Sequence, residues 1–384
     1  RDELVLTGTF QKSQWNGSGE IPLRAVHDGS LDRFGSIDPS EGGKTLRSTG
    51  RMNYHYDMPS GGRFFANAYA QYYRFDLFTN FTFFLNDPVN GDGFQQSDRR
   101  VVYGGDVGYR HSGHLFDMDG AATVGVQARV DDIHARLGPQ VKRAPLGSTA
   151  DSTIFEASYA PFLKLELQPT PWLRLAGGVR TEVFTFDVRN RCANCAEQPA
   201  GNTSTGLVLP KMNVILGPWF ETEFFANYGE GYHSNDARSA VARAASPVAQ
   251  ARNYEVGIRS KPWGPDGVEL IGTLWALDLK QELVFVGDAG TTEIRGASRR
   301  RGLEVAARGQ VWGPLYFNGS VTWTKAEFTN GDAIPLAPEV TAYGALLLRW
   351  PDGLTSQLQA TYLGVRPLVE DRSAKAPSWT TFDL

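Results

Sequence analysis

A few short segments carry residue types that could do chemistry. GGKT at 42–45 has the Gly-Lys-Thr end of a phosphate-binding loop, in which backbone N–H groups and the lysine cradle phosphates. The position such a loop requires as its first glycine is Asp38, and the segment enters a strand rather than a helix, so no nucleotide site is expected. HSGH places His111 and His114 in a turn with no third ligand nearby, so a solvated turn is expected and no metal. Neither a Gly-x-Ser-x-Gly elbow nor a Ser/His/Asp grouping suggests itself. No catalytic residue and no cofactor is assigned, and the chain is not read as an enzyme.

Other groups could bind rather than react. Cys192 and Cys195, the only two cysteines, stand in the polar stretch RNRCANCAEQPAGN; without a thioredoxin-like helix, a short-loop disulfide in an oxidising compartment is favoured over free thiols or metal contact. SRRRG (298–302) with Arg295 gathers arginines near one strand end, Arg299 and Arg300 among them. Such a group could hold an anionic, metal-chelating ligand or lipopolysaccharide phosphates, or could be a solvated strand extension. GYHSNDAR (231–238) brings His233, Asn235, Asp236 and Arg238 to the exit of a strand, as a polar cap or as a ligand-contacting patch.

The elements that would position these groups read as β throughout. No apolar run approaches the ~18 residues of a membrane helix. That does not exclude a membrane barrel, which faces lipid with every second residue. Aromatics reach 12% and there are 42 Gly, a mixture that many short strands with aromatic girdles and Gly-rich hairpins would produce. Net charge is −4, so no basic surface argues for nucleic acid. The chain opens directly on the strand-like RDELVLTGTF and is read as a piece of something longer.

Alternation is the main signal. Leu173, Leu175, Val179 and Val183 oppose Arg174, Arg180 and Glu182. Phe220, Phe224 and Tyr228 oppose Glu221, Glu223 and Asn227. Tyr254, Val256 and Ile258 oppose Glu255 and Arg259, and Leu303, Val305 and Ala307 oppose Glu304 and Arg308. A one-sided antiparallel sheet would show the same pattern. The connections decide between them. Short turn-forming links at 58–62, 113–120, 168–171, 217–219, 261–267, 311–314 and 351–353 alternate with long polar ones near 11–43, 86–98, 138–152, 189–204, 229–250, 287–293, 329–338 and 365–376. The 287–293 link is the weakest of these. Long loops on one side and short turns on the other are the signature of an outer-membrane barrel. About 16 strands are expected.

From LVLPKMNVILGPW through ETEFFANYGEGYHSNDAR, RNYEVGIRSKPW and LWALDLKQELVFVGDAGTTEIRGASRRRGLEV to AIPLAPEVTAYGALLL, the second half resembles the barrel of TonB-dependent receptors. The first half matches only in barrel pattern. The resemblance implies an all-β transmembrane antiparallel barrel of 22 strands closed by an N-terminal plug, through which TonB, energised at the inner membrane, drives import of a scarce ligand. On that reading residues 1–384 are a partial barrel domain, without plug, first strands and last hairpin. The implied protein is a monomer among outer-membrane lipids and lipopolysaccharide, and its ligand is a ferric siderophore, another metal chelate, cobalamin or a saccharide. Arg174, Arg180, Glu182, Glu221, Glu223, Glu255, Arg259, Glu304 and Arg308 would line a wet lumen, while His233, Asn235, Asp236, Arg238, Arg295, Arg299 and Arg300 would meet ligand. The rivals are a passive porin, for which neither a loop folded into the lumen nor a closing terminal strand is evident in the sequence, and a surface adhesin with a large antiparallel sheet.

Overall fold

The computed structural model describes residues 2–19, 21–192, 195, 199–243, 245–286 and 291–384. Beside two one-turn helices, Leu23–His27 and Ala237–Val241, its regular structure is β. The long strands are β1 (Asp2–Asn16), β2 (Gly42–Asp57), β3 (Gly62–Thr79), β4 (Phe94–Leu115), β5 (Met118–Val141), β6 (Ala150–Thr170), β7 (Leu173–Asn190), β8 (Gly201–Trp219), β9 (Thr222–Ser234), β10 (Val248–Ser260), β11 (Glu269–Leu279), β12 (Ser298–Trp312), β13 (Leu315–Phe328), β14 (Val340–Arg349), β15 (Thr355–Leu363) and β16 (Trp379–Asp383). Each pairs antiparallel with its neighbours in sequence, so the sixteen form one uninterrupted meander. Most exceed the ~9–11 residues that cross a bilayer, and their ends project past it.

The connections divide by side as the sequence pattern requires. One end carries the turns 58–61, 116–117, 171–172, 220–221, 261–268, 313–314 and 350–354. The other carries the loops 17–41, 80–93, 142–149, 191–200, 235–247, 280–297, 329–339 and 364–378. The weak link at 287–293 lies in a loop whose arms are themselves a hairpin, Glu282–Val286 with Thr291–Arg295, and residues 287–290 fall outside the described ones. Phe220 and Glu221 both have positive φ, 51° and 57°. They form a two-residue turn whose handedness suits the twist of a hairpin. Glu221 therefore sits exposed at a turn tip instead of lining the wall as the simple alternation suggested.

Directly opposed residues of an antiparallel pair share a face, so the register sorts the side chains. Arg129, Ser158 and Phe184 stand in one row on one face. Val126, Val183, Val305 and Val321 are among the exposed residues of the other. The second face is the apolar exterior. Its turn end is ringed by Phe116, Trp172, Trp219, Trp263, Trp312 and Trp350, and its loop end by Tyr72, Tyr103, Tyr159, Tyr254 and Trp323, all exposed. Leu303 lies opposite Trp323. From Leu303 down to Trp312 the strand covers roughly 25 Å at the usual rise and tilt, the height of a lipid-facing band between aromatic girdles.

Among the described residues a buried hydrophobic cluster lies on the inner face. The β8–β9 ladder ends at Gly229 with Lys211, whereas β9 stays paired with β10 up to Ser234 with Val248. The upper ends of β9 and β10 thus leave the wall, and the 235–247 loop folds inward. Tyr232, Ala237, Val241 and Val248 pack on Ile133, Ile154, Phe184, Phe186, Val188, Leu207 and Leu209. A loop folded into the lumen, not evident in the sequence, is present.

Ala306 and Ala307 allow a controlled test of the two faces. Ala307 is opposite Leu270 and Gly319 on the exterior, and Ala306 opposite Ile271 and Ser320 on the interior. In the reconstituted full-length protein, Ala307→Arg is expected to lower unfolding stability by about 2–4 kcal/mol, and Ala306→Arg by about 1 kcal/mol or less. Urea titration in vesicles reads the difference.

Candidate ligand-binding site

The interior face is built of charge pairs that a strand makes with itself. Residues i and i+2 point the same way, so R-x-D/E and D-x-R place opposite charges side by side. Arg129 meets Asp131 at 2.6 and 2.9 Å, Arg100 meets Asp98 at 2.8 Å, Lys164 meets Glu166 at 2.7 Å, and Arg180 meets Glu182 at 2.6 Å. Longer links join strands. Glu223 receives both Arg174 and Arg259, and Glu269 receives Arg308 at 2.7 Å. Glu255 accepts from Asn227 at 2.9 Å and Asn253 at 2.7 Å. Glu304 faces the same side with no ion pair among the described residues.

Below the inward loop, a cavity of about 350 Å³ opens on this face, lined by Tyr69, Arg100, Arg129, Glu156, Ser158, Arg180, Phe184 and Tyr232 among others. Tyr69, Gly104, Arg129, Ser158 and Phe184 form one row across five strands. Gly104 is needed there, because a Cβ would lie 2.3 Å from the Tyr69 hydroxyl; its absence lets the phenol lie across β4 toward the arginines. Each arginine of the cavity already has a carboxylate. Glu156, opposite Asp131, has neither ion pair nor hydrogen bond among the described residues. The cavity can therefore offer guanidinium donors, phenols and one free carboxylate, but it is not a concentrated positive field.

The arginines expected to act together are separated. Adjacent strand residues point to opposite faces, so Arg300 is interior, 2.7 Å from Glu282, while Arg299 is exterior, 3.8 Å from Asp278. Arg295, in the loop hairpin, meets Glu370 at 3.1 Å. The 231–238 group is brought together as a loop cap. Asp236 accepts the backbone N–H of Arg238 at 2.8 Å and its guanidinium at 3.0 and 2.6 Å. Buried Asn235 donates to the Ser246 carbonyl at 2.7 Å, whereas His233 is exposed and its ring lies 3.1 Å from the adjoining Ser234 carbonyl. Cys192 and Cys195 are bonded to each other, with Cα atoms 5.4 Å apart, just beyond β7. Among the described residues no three metal-ligating side chains converge, and His114 pairs with Asp119 at 3.0 Å. Sequence reading missed Tyr69, Arg100, Arg129, Glu156 and Tyr232. The recurrent i, i+2 charge pairing was the available signal for Arg100 and Arg129.

A family model described as TonB dependent receptor-like, beta-barrel matches residues 1–384. Among solved structures, the chain is similar to the ferric-catecholate import receptor Fiu of E. coli K12, with TM-score 0.76, 14% identity, and 99% of this chain and 65% of that one covered. The siderophore receptor PiuA of Acinetobacter baumannii gives 0.79 at 12% identity, covering 99% and 64%. The ferric yersiniabactin uptake receptor FyuA of Yersinia pestis gives 0.75 at 14% identity, covering 100% and 60%. The chain thus spans less than two thirds of the length of these structures.

The capping carboxyl of the inward loop sets a pH test. Burial works to raise the Asp236 pKa, but the hydrogen bonds and charge of Arg238 and the helix N–H groups outweigh it, and the carboxyl stays below its ordinary range. A depressed carboxyl contributes stability that is full above the unfolded value of about 3.9 and is lost as pH falls through the lower folded value. Proteolysis at Arg238 in the folded protein is expected to be constant from about pH 7 to 5. Loop loosening, read by an acid-active protease, is expected only below about pH 4. Asp236→Ala should open the loop at neutral pH, at a cost of about 1 kcal/mol.

Proposed function

This chain belongs to the TonB-dependent receptor-like β-barrel family, and from that premise we propose that it forms most of the wall of an outer-membrane receptor that imports a scarce ligand with energy supplied through TonB. The observation that carries this reading is the sixteen-strand wall itself: it follows receptor barrels over 99–100% of its length, with an apolar exterior and a charged interior in which many charges are paired. Such an interior is suited to contact a polar plug and water and unsuited to lipid. Among the described residues β1 pairs only with β2, and β16 only with β15. In lipid each bare backbone group costs several kcal/mol. We therefore take the working protein to supply further strands and a plug, through which TonB acts, as a monomer among outer-membrane lipids.

For the ligand, the similar proteins carry ferric catecholate or ferric yersiniabactin, or are siderophore receptors. We propose a ferric chelate, contacted from the wall by Tyr69, Arg100 and Arg129. Arg100 and Arg129 each already hold a carboxylate, so the cavity gives no preference for a strongly anionic chelate. One observation favours a passive porin as a second reading: the 235–247 loop constricts the lumen from within.

Energy dependence separates the two. Cells making the full-length protein should take up radioactive iron from a panel of ferric siderophores saturably, and an uncoupler or loss of TonB should abolish that uptake. Uptake that is linear in concentration and indifferent to the uncoupler would establish the porin. Arg129→Ala is expected to weaken binding of the accepted chelate about tenfold, the value of a charge-assisted hydrogen bond. Arg299→Ala, on the outer face, should leave it unchanged.

A further inference from the structure

Many cations of the wall have a carboxylate partner, but at one place on the rim several without one lie close together. On the exterior of β11–β13, three rows descend from the loop side: Asp278, Arg299 and Glu327; then Ala276, Arg301 and Lys325; then Leu274, Leu303 and Trp323. The third row begins the apolar band, with Trp323 50% exposed. In the second row Arg301 and Lys325 stand directly opposite one another, an unfavourable like-charge pairing. Arg301 has no ion pair among the described residues, and Lys325 shares Glu327 at 2.9 Å.

Beside this row, a cavity of about 310 Å³ lies between the upper end of β13 and the loops 329–339 and 364–378. Its lining includes Trp323, Lys325, Arg366, Arg372 and Lys375, with Glu339 as the single acid. Arg366 donates to the Pro377 carbonyl at 3.3 Å and Arg372 to the Gly331 carbonyl at 3.2 Å. These bonds hold the guanidinium groups in place without neutralising them, and among the described residues neither they nor Lys375 has an ion pair. The site combines a partly open cavity, an excess of positive charge and an interfacial tryptophan at the depth where lipid headgroups begin.

We propose that this cavity seats a phosphate of an outer-leaflet glycolipid, held by Lys325, Arg366, Arg372 and Lys375, with Arg301 alongside and Trp323 at the acyl boundary. Guanidinium groups fit phosphate oxygens bidentately, and a bridging anion relieves the repulsion between Arg301 and Lys325. An aqueous anion is a weaker candidate, because it would leave the apolar side of the site, from Trp323 downward, without a partner. The inference uses the outer-membrane placement and is independent of the transported ligand and of energy coupling.

The test uses the purified full-length protein in detergent, with bisphosphorylated lipid A and its dephosphorylated form as probes, and native mass spectrometry to count bound lipid. The phosphorylated form should bind at least tenfold more tightly. The R366Q/R372Q/K375Q variant should lose that preference, while K142Q, which removes an exposed loop cation elsewhere, should keep it. Heat-modifiable gel mobility shows whether the triple variant is folded; if it is not, the two lipids on the unaltered protein decide alone. Equal binding of both lipids, an unchanged preference in the folded triple variant, or displacement of the lipid by millimolar inorganic phosphate would each overturn the proposal.

Discussion

Lipid offers no hydrogen bonds, so every backbone N–H and C=O at membrane depth must find its partner in the chain. The other features of the molecule follow from that constraint. It makes an unbroken antiparallel ladder obligatory, and the ladder in turn imposes the period of two that separates an apolar exterior from a charged interior. It confines irregular backbone to the two rims, where water is available. There the chain spends its long polar segments on one side and its tight turns on the other. The departure of β9 from β8 above Gly229 occurs on the loop side, where β8 remains paired with β7 and the freed segment packs on the inner face.

The interior meets a second demand. Charges facing an enclosed wet lumen are costly if left unpaired. The i, i+2 pairs answer this within single strands, using neighbours the backbone already points the same way. Glu223, between Arg174 and Arg259, extends the same device across strands. The result is a wall whose interior is polar, with many of its charges held in pairs. Its binding chemistry must come from placed groups such as Tyr69, Arg129 and the free Glu156 and not from a broad potential. Arg366, Arg372 and Lys375, without an ion pair among the described residues, lie together at the outer rim near Trp323.

The wall was legible because its signals are local. Alternation in stretches such as LEVAAR, and Pro, Gly or Asp near each hairpin, depend only on neighbours in sequence; they located the loops, the strand number and most turns, although the link expected at 217–219 lies inside a strand that turns at 220–221. Three features were not legible, each for a physical reason. Glu221 was assigned to the lumen because alternation was continued through a two-residue turn, where left-handed backbone resets the face. Arg299 and Arg300 were grouped by nearness in sequence, although adjacent strand residues face opposite ways. The inward loop escaped because Ala237, Val241 and Val248 show no pattern of their own and are buried by strands from about 30 to more than 100 residues away in sequence, whose register must be known first.

Family membership and the two-faced wall support one another, and the wall is the part open to direct measurement. Single cysteines at each position from Leu303 to Ala307, with Cys192 and Cys195 replaced by serine, can carry a fluorophore in the full-length protein reconstituted in brominated phospholipid vesicles. Strong quenching at 303, 305 and 307, and little at 304 and 306, is the result this account predicts. Uniform quenching at all five positions, or none at any, would contradict it.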